Sequence, residues 1–540
     1  MKTTSPCCAC SCDSEVSGAY RSGRRRSKRI EIMSDLGKSW TPKARAAIGA
    51  VVLLALAASL LFPFLGRPIW FDEAVTIMNF VLDPYPDIYL NYTIPNNHIA
   101  FSYMLRVWLD SAGYFLPVCE MAFRLPAALT SLALIGLSFH FWRKRMGFHA
   151  AFASVACLAV SMPFAIYGTA IRGYALSMLL VALGLEAFLR WEEKGGWFRG
   201  ALFFSLALAG VAAIPSNALA FAIIALLPTP KARRVFESMA ENGWKGKEPA
   251  RFAGVRIQAA GAAIVAFILF YAPLWNALRR ALVHNNGWLR PWAACGHLAT
   301  GFLVSFWPPL LFALMAGLLS RRRRTSPVVL MGALVFLIPL LSVLARRPAP
   351  FPRVFLQMWP IWIYLAGRGA GRFFATCRRK GGSVSAVFAA LVFVVVAGGF
   401  AVRCENARLG VVFTPKGSKD DFFQPYYMRP DFEPSRVVDR LLSLTRRRPR
   451  MVFLSQNADF PSIIFYGKLK GVGEDFWLCD FPGKKHIERL DTSAGGKLFL
   501  VARNETDAAM LAERFGLSNL QAVDRVGVQK IYSAEVARRK

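Results

Sequence analysis

Asp72 and Glu73 are neighbouring carboxylates in Trp70-Phe71-Asp72-Glu73-Ala74, placed directly after the first long apolar run of the chain. Such a pair is either a loop end, solvated or ion-paired to an arginine, or the source of a general base for an attacking hydroxyl. The complementary groups are arginines. Arg172, Arg279, Arg280, Arg290, Arg346, Arg347 and Arg353 lie in or beside loops between apolar runs, and the last three bracket Pro348-Ala349-Pro350-Phe351-Pro352. A guanidinium is weakly hydrated and meets two phosphate oxygens at once, so arginines kept on the outer side of a membrane point to an anionic partner such as a lipid phosphate. Taken singly, each is as well read as an interfacial arginine snorkelling to headgroups.

Composition names the scaffold that must carry these groups. With 55% hydrophobic residues, 13% aromatic residues and a mean hydropathy of +0.37, the 540-residue chain reads as a polytopic α-helical membrane protein. Its net charge of +33 sits in short clusters between apolar runs, which is the positive-inside pattern and not a nucleic-acid groove. Uncharged runs of span length occupy 46–65, 125–142, 148–166, 257–273, 297–319, 327–345 and 383–402; 173–189 joins them despite Glu186.

Charge settles two shorter runs. Two helices turning at Pro215 within 200–230 keep the basic loop 231–256 inside, and a span over 354–367 does the same for Arg378-Arg379-Lys380. The expectation is about eleven spans in a bacterial inner membrane, with the N-terminus cytoplasmic, the C-terminus outside and the first span an uncleaved signal anchor.

Three regions follow. Residues 1–45 read as a disordered basic cytoplasmic tail; its crowded Cys7, Cys8, Cys10 and Cys12 lack metal-knuckle spacing, and Met33 offers a second start. Residues 46–402 form the multi-span domain, with a first external loop at 66–121 in which 98–115 lies as an interfacial helix. Residues 403–540 read as a small extracytoplasmic α/β domain. Its strands are expected at 451–455 and 497–502, a helix at 507–515 closing at Gly516, and a last strand pair around Gly527. Cys119, Cys295, Cys404 and Cys479 fall outside or at the outer boundary, where disulfides are open.

Four motifs run in order: Trp70-x-Asp72-Glu73-Ala74, Asn96-Asn97-His98, Arg124-Leu125-Pro126-Ala127-Ala128-Leu129, and Tyr167-x-x-x-x-Arg172-x-Tyr174-Ala175-Leu176. A looser fifth is Pro352-Arg353-x-Phe355-x-x-x-x-Pro360. Together they resemble the bacterial relatives of the protein O-mannosyltransferases and aminoarabinose transferases, glycosyltransferases of the GT-C superfamily that use polyprenyl-phosphate sugars. The likeness is dense from Ile69 to Leu180. Relatives usually carry His-Pro-Pro where His98-Ile99-Ala100 stands here, and many carry Glu-Ala-Arg-x-Tyr where this chain has Ala170-Ile171-Arg172-Gly173-Tyr174.

The resemblance implies an inverting sugar transfer at the outer face. Asp72 would be the base, and Arg172 and Arg353, helped by Tyr174, Arg346 and Arg347, would meet the donor phosphate. His98 would position a substrate or cap a helix. Glu73 would orient Asp72, hold a divalent cation with it, or pair with an arginine. The absent acid at Ala170 removes one ligand from any metal site. The partners implied are a polyprenyl-phosphate-linked sugar donor, a lipid, glycan or protein acceptor, and the membrane, with no nucleic acid. A transporter or flippase of an anionic lipid, or a catalytically silent relative, are the competing readings. The former fits poorly with spans that are nearly free of charge.

Overall fold

The computed structural model describes residues 41–92, 94, 97–112, 119–242, 247–284, parts of 331–341, 356–380, 394–399, 432–445, 452–455, 459–473, 476–479 and 496–536. Met1–Val51 and Val52–Lys540 are separate compact units, and the candidate site lies wholly in the second.

The described helices begin with α1 (Pro42–Leu65), α2 (Phe71–Thr76) running into a π turn at Ile77–Val81, α3 (Tyr85–Leu90) and α4 (Ile99–Ala112). Then come α5 (Glu120–Met146), α6 (Phe148–Ala159), α7 (Met162–Tyr167), α8 (Tyr174–Lys194), α9 (Trp197–Ala213) and α10 (Asn217–Ile224). The helices α11 (Pro230–Asn242), α12 (Lys247–Tyr271), α13 (Trp275–His284) and α14 (Trp359–Lys380) follow.

Four of these are long and apolar enough to cross a membrane: Pro42–Leu65, Glu120–Met146, Tyr174–Lys194 and Glu248–Tyr271. Helices α6 and α9 are apolar but shorter. The outward side of α12 carries exposed Ile257, Ile264, Val265, Ile268 and Leu269, the covering of a helix that faces lipid. The expected spans at 297–319, and most of 327–345 and 383–402, lie outside the described residues.

Proline and asparagine shape the breaks. The run 148–166, expected as one span, is two helices, because Pro163 has no N–H for α6 to continue and fits the first turn of α7 instead. The run 200–230 is α9 and α10, parted at Ile214-Pro215-Ser216. Asn217 stitches that turn: its Nδ2 donates to Gly210 O at 2.6 Å and its Oδ1 accepts from Ser177 Oγ at 2.7 Å. Gly184 of α8 and Gly210 of α9 leave room for the buried ring of Phe221 on α10; a Cβ at Gly210 would stand 2.6 Å from Phe221 Cε2.

The C-terminal part contains α15 (Pro434–Thr445), β1 (Val452–Leu454), α16 (Phe460–Leu469), β2 (Trp477–Cys479), β3 (Gly496–Ala502), α17 (Glu505–Arg514), β4 (Leu517–Val526) and β5 (Gln529–Val536). The five strands pair in the order β2-β1-β3-β5-β4. β1 runs parallel to β2 and β3, with α16 as the β1–β2 crossover, and β3-β5-β4 is antiparallel. Gly516 (φ 61°) and Gly527 (φ 58°) take the left-handed turns that bound β4.

Period-two alternation divides the sheet's faces. Phe453, Leu498, Leu500 and Ala502 pack with Ala508 and Leu511 of α17. Val452, Leu454, Phe499 and Val501 join α15 and α16 in a core that runs without a break into Ile69, Ala74, Ile77, Phe101, Leu105, Phe123 and Ile171. The sheet and the first-loop helices thus share one apolar interior.

The three-helix contact around Phe221 makes a direct prediction. Gly210→Ala overpacks it and should destabilise the protein by roughly 1–3 kcal/mol. The check is thermal unfolding in detergent, where Gly210→Ala combined with Phe221→Leu should recover part of the loss; an unchanged midpoint for the single substitution would refute the packing.

Candidate active site at the start of the first loop

The first turn of α2 holds both acids, and residues i and i+1 of a helix point about 100° apart. Asp72 and Glu73 therefore meet different partners. Both are buried, at 8% and 1% exposure.

Glu73 is taken up by structure. Its Oε2 pairs with Arg124 Nη2 and its Oε1 accepts from Arg124 Nε at 3.3 Å and from the Ile171 N–H at 2.9 Å. The same carboxylate reaches back to the Trp70 N–H at 3.4 Å, tying off the N-terminus of α2. Arg124 spends its other donors on the carbonyls of Leu65 (3.3 Å), Pro68 (3.1 Å) and Arg67. One buried ion pair thereby joins the exit of α1, the start of α2, the α5 helix and the loop before α8.

Asp72 faces Arg172. Asp72 Oδ2 and Arg172 Nη1 approach to 3.0 Å, out of line for a hydrogen bond, so the contact is an ion pair. Arg172 Nε donates to His98 Nε2 at 3.0 Å, and the other ring nitrogen, Nδ1, lies 3.2 Å from the carbonyl of Ala213. An acceptor at Nε2 and a carbonyl at Nδ1 fit the neutral tautomer with its proton on Nδ1. Tyr174 closes the group: its ring lies 5.2 Å from that of His98, 4.8 Å from that of Tyr167 and 5.6 Å beneath the Arg172 guanidinium.

The surroundings explain how the chain reaches this arrangement. Asn97, ahead of His98, donates to the carbonyls of Ile88 (2.8 Å) and Asn91 (3.0 Å) and accepts from Ser102 Oγ (3.1 Å), which pins the entrance of α4. Gly173 stands where a Cβ would come within 3.0 Å of both His98 and the Ala213 carbonyl, so glycine lets the α8 entrance close on the histidine. The α9–α10 turn stitched by Asn217 in turn places Ala213.

Of the sequence-predicted residues, Asp72, His98, Arg172 and Tyr174 are brought together, whereas Glu73 is turned to Arg124. Arg279 and Arg280 are exposed on α13. Arg290, Arg346, Arg347 and Arg353 lie outside the described residues. Cys119 is a free thiol.

Joint cation binding by Asp72 and Glu73 does not fit this geometry, since the Glu73 oxygens are already occupied by a guanidinium and two N–H groups. Among the described residues no cluster of three or more His, Cys, Asp or Glu gathers in a form that could hold a metal ion.

Two residues were missed in the sequence. Arg124, quoted above only as the first residue of a motif beside the span from 125, lies within the apolar helix α5, where a buried charge needs a partner. Asp459 arrives from the C-terminal part, buried and close enough for Asp72 and Glu73 to act on its charge, and no local pattern marks it. Tyr466, on the helix α16 that follows Asp459, donates to Glu120 Oε1 at 2.6 Å and accepts from the Ile69 N–H at 3.0 Å, so it anchors α16 against the first loop. Burial, reinforced by Glu120, raises the Tyr466 phenol well above its ordinary range and keeps it a donor.

No protein-family model and no curated protein matches this sequence. Among solved structures, ArnT from Cupriavidus metallidurans in the apo state aligns over 90% of this chain and 98% of its own, with a TM-score of 0.52 at 14% identity. The same protein bound to undecaprenyl phosphate aligns over 91% and 98%, with a TM-score of 0.52 at 13% identity. The chain shares the fold of these ArnT structures. At such identity the likeness concerns architecture, and the chemistry rests on the side chains described above.

The division of labour between the two acids is testable. Glu73→Gln breaks a buried ion pair reinforced by hydrogen bonds from Arg124, Ile171 and Trp70 and should cost roughly 3–5 kcal/mol, whereas Asp72→Asn loses a buried ion pair with no hydrogen bond in line and should cost less. Thermal unfolding of both variants in detergent checks this, and equal losses would contradict it.

Proposed function

We propose that this chain is an inverting glycosyltransferase that moves a sugar from a polyprenyl-phosphate donor to an acceptor hydroxyl at the outer face of the membrane. The observation that carries the reading is the buried Asp72–Arg172–His98 chain, a carboxylate paired with a phosphate-binding type of cation that is itself oriented by a histidine. The shared fold, and the binding of undecaprenyl phosphate by the structurally similar ArnT, support it. The charge pattern supports a cytoplasmic N-terminus, about eleven spans and an extracytoplasmic module from residue 403 onward.

In this mechanism Arg172 exchanges anions. Before the donor arrives it pairs with Asp72; the donor phosphate then takes the guanidinium, and Asp72 is released toward the acceptor. The acceptor oxygen attacks the anomeric carbon on the face opposite the phosphate while its proton passes to Asp72. The bond between the anomeric carbon and the phosphate oxygen breaks, the electron pair leaves with polyprenyl phosphate, and Arg172 stabilises the growing charge. His98 holds Arg172 at its Nε, and the Tyr174 ring supports the guanidinium from below. Arg346, Arg347 and Arg353 are proposed as further phosphate contacts. A divalent cation, if the reaction uses one, takes its ligands away from Glu73. The acceptor class, whether lipid, glycan or protein, is set by surfaces beyond this cluster.

Anion exchange distinguishes Asp72→Asn from Arg172→Ala. Asp72→Asn removes the competing anion and should bind undecaprenyl phosphate at least as tightly as the natural protein, while glycan transfer in the native host falls by about 10²–10⁴-fold. Arg172→Ala should weaken undecaprenyl phosphate binding by roughly tenfold or more. Binding is read on purified protein, and transfer by mass spectrometry of envelope glycolipids, polysaccharide and exported proteins. An unchanged glycan profile in a well-inserted Asp72→Asn strain would remove Asp72 from the chemistry.

A further inference from the structure

A third carboxyl group sits beside the acidic end of α2. Asp459 precedes α16 and is only 1% exposed. Its backbone is left-handed, with φ 58° and ψ 50°, a conformation that Asp tolerates better than most residues. The turn sets Phe460 edge-on to Phe71, ring centroids 5.8 Å apart, and the helix that follows brings the Tyr466 hydroxyl to the Ile69 N–H. Asp459 Oδ2 accepts from Ser462 Oγ at 2.9 Å, while Oδ1 is buried with no hydrogen-bond partner among the described residues.

The charged groups acting on Asp459 are both acids. Asp72 and Glu73 of α2 repel a negative charge there, and their cations, Arg172 and Arg124, are engaged with those two carboxylates. On α16 itself Tyr466 is paired with Glu120 of α5. Burial above all, with Asp72 and Glu73 adding to it against the pull of the Ser462 hydroxyl, holds the Asp459 carboxyl well above the usual carboxylate range.

We infer that Asp459 is a positioning residue of the transfer site: as a neutral carboxylic acid it lets the α16 turn close over α2 and hold Asp72 in place, and its ionisation would drive the two apart. This role rests on the transferase reading of Asp72. The physical reason is that a buried carboxylate repelled by two others, with no cation beside it among the described residues, is disfavoured, whereas the neutral acid is not.

The sign of the pH effect follows. An acid whose folded pKa is raised contributes stability that is complete below about pH 4, the unfolded value, and is lost as pH rises toward the folded pKa. Asparagine keeps the shape and does not titrate.

The full-length protein in detergent is compared with Asp459→Asn and Ser462→Ala between about pH 5.5 and 8.5, reading the unfolding midpoint and affinity for undecaprenyl phosphate. The Asp459→Asn midpoint should gain on the natural protein by roughly 2–4 °C across that range. Affinity of the natural protein should fall at the alkaline end, because a charged Asp459 adds an anion near the Arg172 site and loosens the α2–α16 contact behind it, and Asp459→Asn should not show the fall. Ser462→Ala should move it upward by roughly half to one pH unit, the worth of one hydrogen bond. Parallel pH profiles of the natural protein and Asp459→Asn overturn the inference, as does loss of binding in Asp459→Asn at every pH. If the natural protein binds no undecaprenyl phosphate at any pH while the midpoint difference holds, the transferase reading falls and the neutral acid at the α2–α16 contact stands.

Discussion

The buried pair between Glu73 and Arg124 is the constraint on which the rest of the site depends. Arg124 collects the carbonyls at the exit of α1, and Glu73 collects the N–H groups of Trp70 and Ile171, so four segments meet at two side chains. An apolar pair of the same volume could be as stable, since desolvating two charges offsets much of their attraction. An apolar pair would not choose one geometry, because it lacks directed donors and acceptors. Here the direction matters: with Glu73 locked, the next residue back along the helix must present Asp72 to Arg172 and His98.

Three carboxyl groups then occupy three environments. Glu73 is paired with Arg124, Asp72 is paired with Arg172, the cation the proposed mechanism hands to a phosphate, and Asp459 is buried with no cation beside it among the described residues, its carboxyl held well above the usual carboxylate range. Different surroundings for like groups are how one fold assigns separate roles to chemically similar side chains. The apolar core shared by the first-loop helices and the C-terminal sheet is what permits the third group to be there at all.

Much of the architecture was legible in the sequence because its signals are local. The turn at Pro215, the glycines bounding the last strands and the short apolar runs that became β1 and β3 all depend on near neighbours. The cluster of Asp72, His98, Arg172 and Tyr174 was legible through motif order, not through spacing, since its members lie on separate elements. Two things were not. The adjacent acids read as a symmetric pair until the helix turned them apart, and Asp459 sits in Asn457-Ala458-Asp459-Phe460, where nothing nearby hints that a fold will bury it beside residues nearly four hundred positions earlier.

The account's central claim is that Arg172 exchanges Asp72 for a donor phosphate. An experimental structure of the protein with undecaprenyl phosphate bound tests it most directly. The account predicts phosphate oxygens within hydrogen-bonding distance of the Arg172 guanidinium, the Asp72–Arg172 contact opened beyond its 3.0 Å, and the Glu73–Arg124 pair unchanged. A phosphate bound elsewhere with the Asp72–Arg172 pair intact would contradict it.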